Sequence, residues 1–362
     1  MENIKDIKNI KKVNLKHFIG NYDIFIGENL IGNTGNYIEN LDIIRKTKFC
    51  IVSDNIVFPL YGDTVRKSVE QKGFAVYCFV FGNGESQKNL STVSEIYNFL
   101  YENKFDRNDY LIALGGGVVG DITGFAASTY LRGIKFIQIA TTLLAQADSS
   151  VGGKTGVNLP YGKNLVGAFY QPQFVLCDVN VLRTLPDNIY ADGMAEVIKH
   201  GCIKSAELFY SVMNKTISIA DMVYENVKIK AEVVMADEFE TGERAILNFG
   251  HTVGHAVEKY YNFTKVSHGQ AVATGMVYAA KISHILHGLD YKAVEDIIKI
   301  LDLYSLPVKT ENKIDNKILA DICAGDKKSE NDFIKFILLS EIGKCGIVKI
   351  NKSELENLLC RI

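Results

Sequence analysis

Four short runs that are apolar at nearly every position constrain this chain more than anything else in its sequence. Phe49-Cys50-Ile51-Val52-Ser53-Asp54, Ala75-Val76-Tyr77-Cys78-Phe79-Val80, Tyr110-Leu111-Ile112-Ala113-Leu114 and Phe136-Ile137-Gln138-Ile139-Ala140 leave almost no polar face for water. Strands of that kind are buried on both sides, as in a parallel sheet sandwiched between helices. An earlier run, Tyr22-Asp23-Ile24-Phe25-Ile26-Gly27, alternates with period two and reads as a further strand. Between the Ala75 and Tyr110 runs, residues 90–103 carry apolar side chains at helical spacing, with Ser91 or Ser94 available as a cap.

After Thr184-Leu185-Pro186 the texture changes. Residues 193–214, 217–237, 248–261, 270–284 and 291–303 all read as helices, followed by one strand-like run over 333–340. Ser353-Glu354-Leu355-Glu356 matches a capping box opening a last helix. A chain of 362 residues exceeds what one core usually serves. The expectation is therefore two domains: an α/β parallel-sheet nucleotide-binding domain over 1–185, and a mainly helical metal- and substrate-binding domain over 186–362.

Composition excludes several classes. The formal net charge of −2 lacks the basic excess of a nucleic-acid binder. No apolar run reaches membrane-span length, and the Lys-rich start over 1–12 is no signal peptide but reads as a solvated terminus. The seven cysteines form no C-x-x-C pair, so they read as reduced, mostly buried thiols of a cytoplasmic protein.

Three clusters carry chemistry. Gly115-Gly116-Gly117-Val118-Val119-Gly120-Asp121 follows a strand and opens a helical pattern, where a pyrophosphate can meet a helix amino terminus. A plain tight turn would use the same glycines. Asp54 ends an earlier strand, as a ribose-binding acid does, but it precedes the glycine loop, unlike the standard dinucleotide fingerprint. Glu85 and Lys88, in Gly84-Glu85-Ser86-Gln87-Lys88, also follow a strand. They fit a nucleotide or an ordinary surface turn.

The second cluster is Gly250-His251-Thr252-Val253-Gly254-His255 with Ser267-His268-Gly269-Gln270. His251 and His255, four apart, share a helix face. Thr252 stands where a metalloprotease has glutamate, so the protease reading fails. Glu196, amid apolar neighbours, is a buried carboxylate in need of a partner, and two histidines with one glutamate leave coordination positions open on zinc. A structural histidine pair fits the same spacing. The third cluster, over 141–158, is a polar glycine-rich loop carrying Lys154, with Lys163-Asn164 shortly after. Arg132, Lys199, Lys230, Arg244 and Lys327-Lys328 add cations suited to an anionic substrate.

The runs GGGVVGDITGFAASTYLRG, ATTLLAQADSSVGGKTGVNLPYGKNLVGAF, GMAEVIKHG, KAEVVMADEFETGERAILNFGHTVGHAVE, SHGQAVATGM and GDKK together resemble the 3-dehydroquinate synthase family. That family belongs to the sugar-phosphate cyclases and is distantly related to glycerol and iron-dependent alcohol dehydrogenases. The resemblance implies zinc or cobalt held by Glu196, His251 and His268, with His255 facing the substrate phosphate. It implies NAD bound by Asp54, Glu85, Lys88, Gly115, Gly116, Gly117, Asp121, Thr141 and Thr142, with Asp148, Lys163 and Thr184 alongside. Phosphate contacts are implied from Lys154, Asn164, His255 and Lys327, with Arg132 supplied by the partner in a homodimer. Lys230 and Arg244 would hold a substrate carboxylate, and Lys199 and Asn248 would lie near metal-bound hydroxyls. Gln270 stands where the family usually has glutamate, which puts the support of His268 in question. Ala140 and Ala147 replace a proline and a valine and read as packing variation.

The implied reaction converts 3-deoxy-D-arabino-heptulosonate 7-phosphate to 3-dehydroquinate and phosphate. It runs through transient NAD-dependent oxidation of the substrate, elimination, re-reduction and aldol closure. The leaving phosphate can take the proton itself, so no dedicated strong base is required. A cyclase acting on substrates without a carboxylate would not need Lys230 and Arg244. A polyol dehydrogenase would leave Lys154, Asn164 and Lys327 without a task, and a nucleotide sensor would leave the Glu196, His251, His268 set unexplained.

Overall fold

The apolar runs form β3 (Lys48–Asp54), β4 (Ala75–Phe81), β5 (Tyr110–Gly115) and β6 (Lys135–Ala140). They join β1 (Lys11–His17), β2 (Gly20–Gly27) and β9 (Phe174–Asp178) in one sheet of order β1-β2-β9-β6-β5-β3-β4. This is a computed structural model, and it describes residues 10–41, 43–44, 46–311, 314–325 and 333–362. Only the β1–β2 pair is antiparallel; the other pairings are parallel.

Alternate side chains of each central strand enter different cores, which is why these runs have no polar face. Phe49 and Ile51 pack with Tyr37 and Ile38 of α1 (Thr34–Glu39) and Val65 and Val69 of α2 (Asp63–Glu70). Cys50 and Val52 pack with Ile96 of α3 (Leu90–Glu102) and with Ile122 and Phe125 of α4 (Gly117–Thr129). β4 lies at the sheet edge, so its equally apolar run stays only partly covered, with Val80 exposed. β9 is fully buried and was not anticipated. The cap of α3 is Asn89, which accepts from Thr92 N at 3.0 Å, in place of either serine.

The stretch that reads as a glycine-rich loop has more structure than expected. A wide helical turn over Ala145–Ser149 leads into an antiparallel hairpin of β7 (Lys154–Leu159) and β8 (Gly162–Phe169). Of the Lys-rich start, residues 1–9 lie outside the described residues; Lys11 and Lys12 belong to β1, where Lys12 pairs with Asp23 at 2.8 Å.

The helices from α5 onward are α5 (Asp187–Lys204), α6 (Ala206–Met213), α7 (Ile219–Ala236), α8 (His251–Tyr260), α9 (His268–His287), α10 (Tyr291–Leu303), α11 (Asn316–Gly325) and α12 (Lys352–Leu359). The helix expected over 193–214 breaks at Ser205, whose hydroxyl caps α6 by accepting from Leu208 N. The strand expected over 333–340 is β10 (Phe333–Glu341), paired antiparallel with β11 (Lys344–Asn351), which the sequence reading did not include. The last helix is capped by Asn351, which accepts from Glu354 N at 2.9 Å, so the Ser353 capping box does not form.

The chain divides into two compact units, Met1–Leu185 with Lys230–Glu238, and Pro186–Ile229 with Phe239–Ile362. The expected second domain thus cedes the end of α7 to the first unit. No helix among the described residues is long and apolar enough to cross a membrane. All seven cysteines are free thiols, and Cys50, Cys177, Cys202 and Cys323 are buried.

Candidate functional site

In the second unit, three helices bring one carboxylate and three imidazoles together. Glu196 lies in the middle of α5, whose residues from Gly193 to Ile203 are all buried. Gly250 adopts φ +80 and ends the short helical turn Glu243–Asn248, so α8 starts at His251 instead of Asn248. A side chain at Gly275 of α9 would collide with the Gly250 carbonyl, so glycine there lets α8 and α9 approach closely. Ser267 caps α9 and makes His268 its first residue.

His251 Nε2 and His268 Nε2 stand 3.5 and 3.4 Å from the same oxygen of Glu196. Donor atoms on a tetrahedral zinc ion with bonds of about 2.0–2.1 Å sit about 3.3–3.4 Å apart. The three groups fit such an ion. Glu196 is 1 % exposed. Lys199, one turn along, is its close ion-pair neighbour.

Burial alone would push the Glu196 carboxyl up, but Lys199 and both imidazoles outweigh it and hold it well below the usual range. Burial keeps His251 well below the usual imidazole range, and its Nδ1 faces the Phe249 carbonyl at 3.2 Å. Burial would lower His268 as well, yet contacts with Glu196 and Glu258 raise it to about 9. The His255 ring lies 5.4 Å from His251 and 6.3 Å from His268, centre to centre. Asn248 donates to Glu240 Oε1 at 3.0 Å, and Arg244 is almost wholly buried.

In the first unit three of the expected nucleotide residues, Glu85, Lys88 and Asp121, join one connected polar network. Gly115 ends β5, and Gly116 precedes α4 in extended conformation. A Cβ on Gly116 would meet the Thr142 side chain at 2.8 Å, and one on Gly117 would meet Ser149 Oγ at 3.1 Å. Two buried hydroxyl oxygens here, Thr141 Oγ1 and Ser149 Oγ, have no hydrogen-bond partner. Bare backbone and unsatisfied hydroxyls at a helix amino terminus suit a pyrophosphate.

Lys88, nearly buried, pairs with Asp121 at 2.5 Å and donates to Asn164 Oδ1 at 2.5 Å. Burial raises the Asp121 carboxyl, against the pull of Lys88. Asn158 donates to Glu85 Oε1 and accepts from Asn164 N, both at 2.8 Å. Asp54 Oδ1 accepts from Ile56 N and Val57 N, each at 2.8 Å. Asp148 pairs closely with Lys230, whose segment belongs to this unit. The Thr184 hydroxyl meets Tyr61 OH at 2.5 Å. Lys154 and Lys163 lie on the β7–β8 hairpin, and Arg132 is exposed on a turn where Leu131, Arg132 and Gly133 have φ of 49, 68 and 118. Lys327 lies outside the described residues.

Three residues escaped the sequence reading. Glu258 approaches the His268 ring, and Asn158 links Glu85 to Asn164. Asp192 takes the Ser267 hydroxyl at the start of α9. Glu258 could have been found, since it follows His255 by three residues and His251 by seven on α8. Gln270 does not support His268: its Oε1 accepts from Ser267 N at 3.1 Å and completes a capping box.

The family described as 3-dehydroquinate synthase N-terminal matches residues 78–192, and 3-dehydroquinate synthase C-terminal matches 193–329. The 3-dehydroquinate synthase of Clostridium beijerinckii is 46% identical over 336 residues, covering 91% of this chain and 95% of that protein. A solved 2-deoxy-scyllo-inosose synthase, complexed with carbaglucose-6-phosphate, NAD+ and Co2+, superposes with TM-score 0.83 at 26% identity, covering 96% of this chain and 99% of that one. The 2-epi-5-epi-valiolone synthase of Streptomyces hygroscopicus, with NAD+ and Zn2+ bound, also gives 0.83, at 25% identity over 97% and 99% of the two chains. With both halves matched and near-half identity over most of its length, the chain belongs to the 3-dehydroquinate synthase family.

Proposed function

We propose that this protein converts 3-deoxy-D-arabino-heptulosonate 7-phosphate to 3-dehydroquinate and phosphate, using NAD and one zinc or cobalt ion, in aromatic amino acid biosynthesis. The observation that carries the reading is the Glu196, His251, His268 set, with its two imidazole nitrogens at tetrahedral-edge distance from one buried carboxylate oxygen. When bound, the ion would acidify a substrate hydroxyl, and the nicotinamide would accept a hydride and give it back.

The chain's own groups bind, orient and neutralise. Glu196, His251 and His268 hold the ion. Lys199, buried beside Glu196, and Asn248 steady the substrate hydroxyls. His255, Lys154, Asn164 and Lys327 are assigned to the phosphate, where cations favour the departing dianion. Arg244 and Lys230 are assigned to the substrate carboxylate. Lys230 already pairs with Asp148, so the substrate would share or replace that partner. Asp54, Glu85, Lys88, Gly115, Gly116, Gly117, Asp121, Thr141, Thr142, Asp148, Lys163 and Thr184 are assigned to NAD. Arg132, held outward on its strained turn, serves the neighbouring subunit of a cytoplasmic homodimer.

The test is a turnover assay with the heptulosonate phosphate, zinc and NAD far below substrate. Phosphate and dehydroquinate should appear together, in large excess over NAD. NADH accumulating one for one with product would overturn the reading in favour of a dehydrogenase. Activity confined to sugar phosphates without a carboxylate would instead make it a different cyclase.

A further inference from the structure

Behind His268 stands a second buried carboxylate. Glu258 is 2 % exposed, and its Oε2 lies 3.6 Å from His268 Nδ1, an ion-pair separation. The opposite nitrogen of the same ring, Nε2, faces Glu196 at 3.4 Å. A neutral imidazole carries a single hydrogen, so a ring that offers Nε2 to a cation carries it on Nδ1 and needs an acceptor there. For His251 that acceptor is the neutral Phe249 carbonyl. For His268 the group facing Nδ1 is the Glu258 carboxylate, at ion-pair distance. Two other candidates are engaged elsewhere: Gln270 accepts from Ser267 N, and Asp192 accepts from the Ser267 hydroxyl.

We propose that Glu258 is the positioning residue of the metal centre: it holds His268 in the tautomer that presents Nε2 and makes that nitrogen the stronger of the two imidazole donors. This rests on the reading of Glu196, His251 and His268 as the ion's ligands. Helical geometry supplies the placement, since Glu258 lies on the His251 and His255 face of α8, whose close approach to α9 brings it to His268.

Zinc affinity measured by chelator competition, with stoichiometry, tests this on the full-length protein. The wild type should bind one ion per chain. Glu258→Gln, which keeps shape and removes charge, should bind it about 10- to 100-fold more weakly, while the metal-free variant unfolds within a few degrees of wild type. Gln270→Glu should leave affinity unchanged. The cobalt-loaded protein gives a second readout: its visible absorption bands should shift in Glu258→Gln and in Glu258→Asp, which a purely structural role would not cause. Wild-type affinity together with an unshifted cobalt spectrum in both Glu258 variants overturns the proposal. So does a wild-type stoichiometry of two that falls to one in Glu258→Gln, because Glu258, His255 and His268 would then be an ion site of their own. A wild type that binds no ion removes the metal reading itself.

Discussion

The two polar clusters solve the problem of burying charge in opposite ways. In the first unit, Lys88, Asp121, Asn164, Asn158 and Glu85 satisfy one another through a chain of short contacts. In the second, Glu196 is buried more completely, and Lys199 and the imidazoles of His251 and His268 face its oxygens. A self-satisfied network costs little to keep and must exchange partners when a ligand arrives. A carboxylate buried this deeply is costly unless cations and donors face it. The first cluster holds shape; on the proposed reading, the second holds an ion.

Removing the buried carboxylate charge breaks that contrast most strongly. Glu196→Gln should lower phosphate release by about a hundred- to a thousandfold, the scale of losing a fixed electrostatic catalyst. Zinc should raise the unfolding temperature of the wild type and leave that of the variant unmoved. Zinc retained at one per chain in Glu196→Gln, by elemental analysis, would take this residue out of the ligand set.

The first cluster should respond in stability ahead of chemistry. Lys88→Met removes the cation beside Asp121 and strands a carboxylate whose titration burial already raises. A loss of about 3 kcal/mol in denaturant unfolding is expected, as for one partner taken from a buried pair, with weaker NAD binding beside it. An unchanged unfolding midpoint would mean the network is solvated and not structural.

The smallest effect concerns His200, fully buried on α5, with Nδ1 2.9 Å from Asn226 Oδ1. Burial, helped by Lys199, pushes it down to about 3 from the usual 6.5. The folded protein therefore keeps His200 neutral while the unfolded chain takes up a proton. Its stabilising share is complete above about pH 6.5 and drains away as pH falls toward 3. Urea midpoints of wild type should fall faster than those of His200→Gln between pH 6.5 and 4.5. Parallel curves would show that the ring charges inside the fold.

Much of the fold was legible because two-sided burial leaves no position for a polar residue. That rule marks β3, β5 and β6 in the sequence itself. It could not separate the central strands from β4, since edge position is a property of the sheet order and not of the run. The 141–158 stretch read as a loop because glycine signals turns, yet a hairpin uses the same glycines where strands approach closely.

The proposed metal set divides along the same line. Glu196 among apolar neighbours, and His251 and His255 at helical spacing, are statements about residue type and local period that the sequence alone carries; His268 entered the set only through the family resemblance. Which carboxylate stands behind His268 was decided only in three dimensions. Gln270 is two residues away in the chain, but the first turn of α9 uses its side chain as a cap. Glu258 is ten residues away and reaches the ring because Gly250 and Gly275 let α8 and α9 approach. Local periodicity orders side chains around one helix. Only the packing of two helices decides which of those side chains meet.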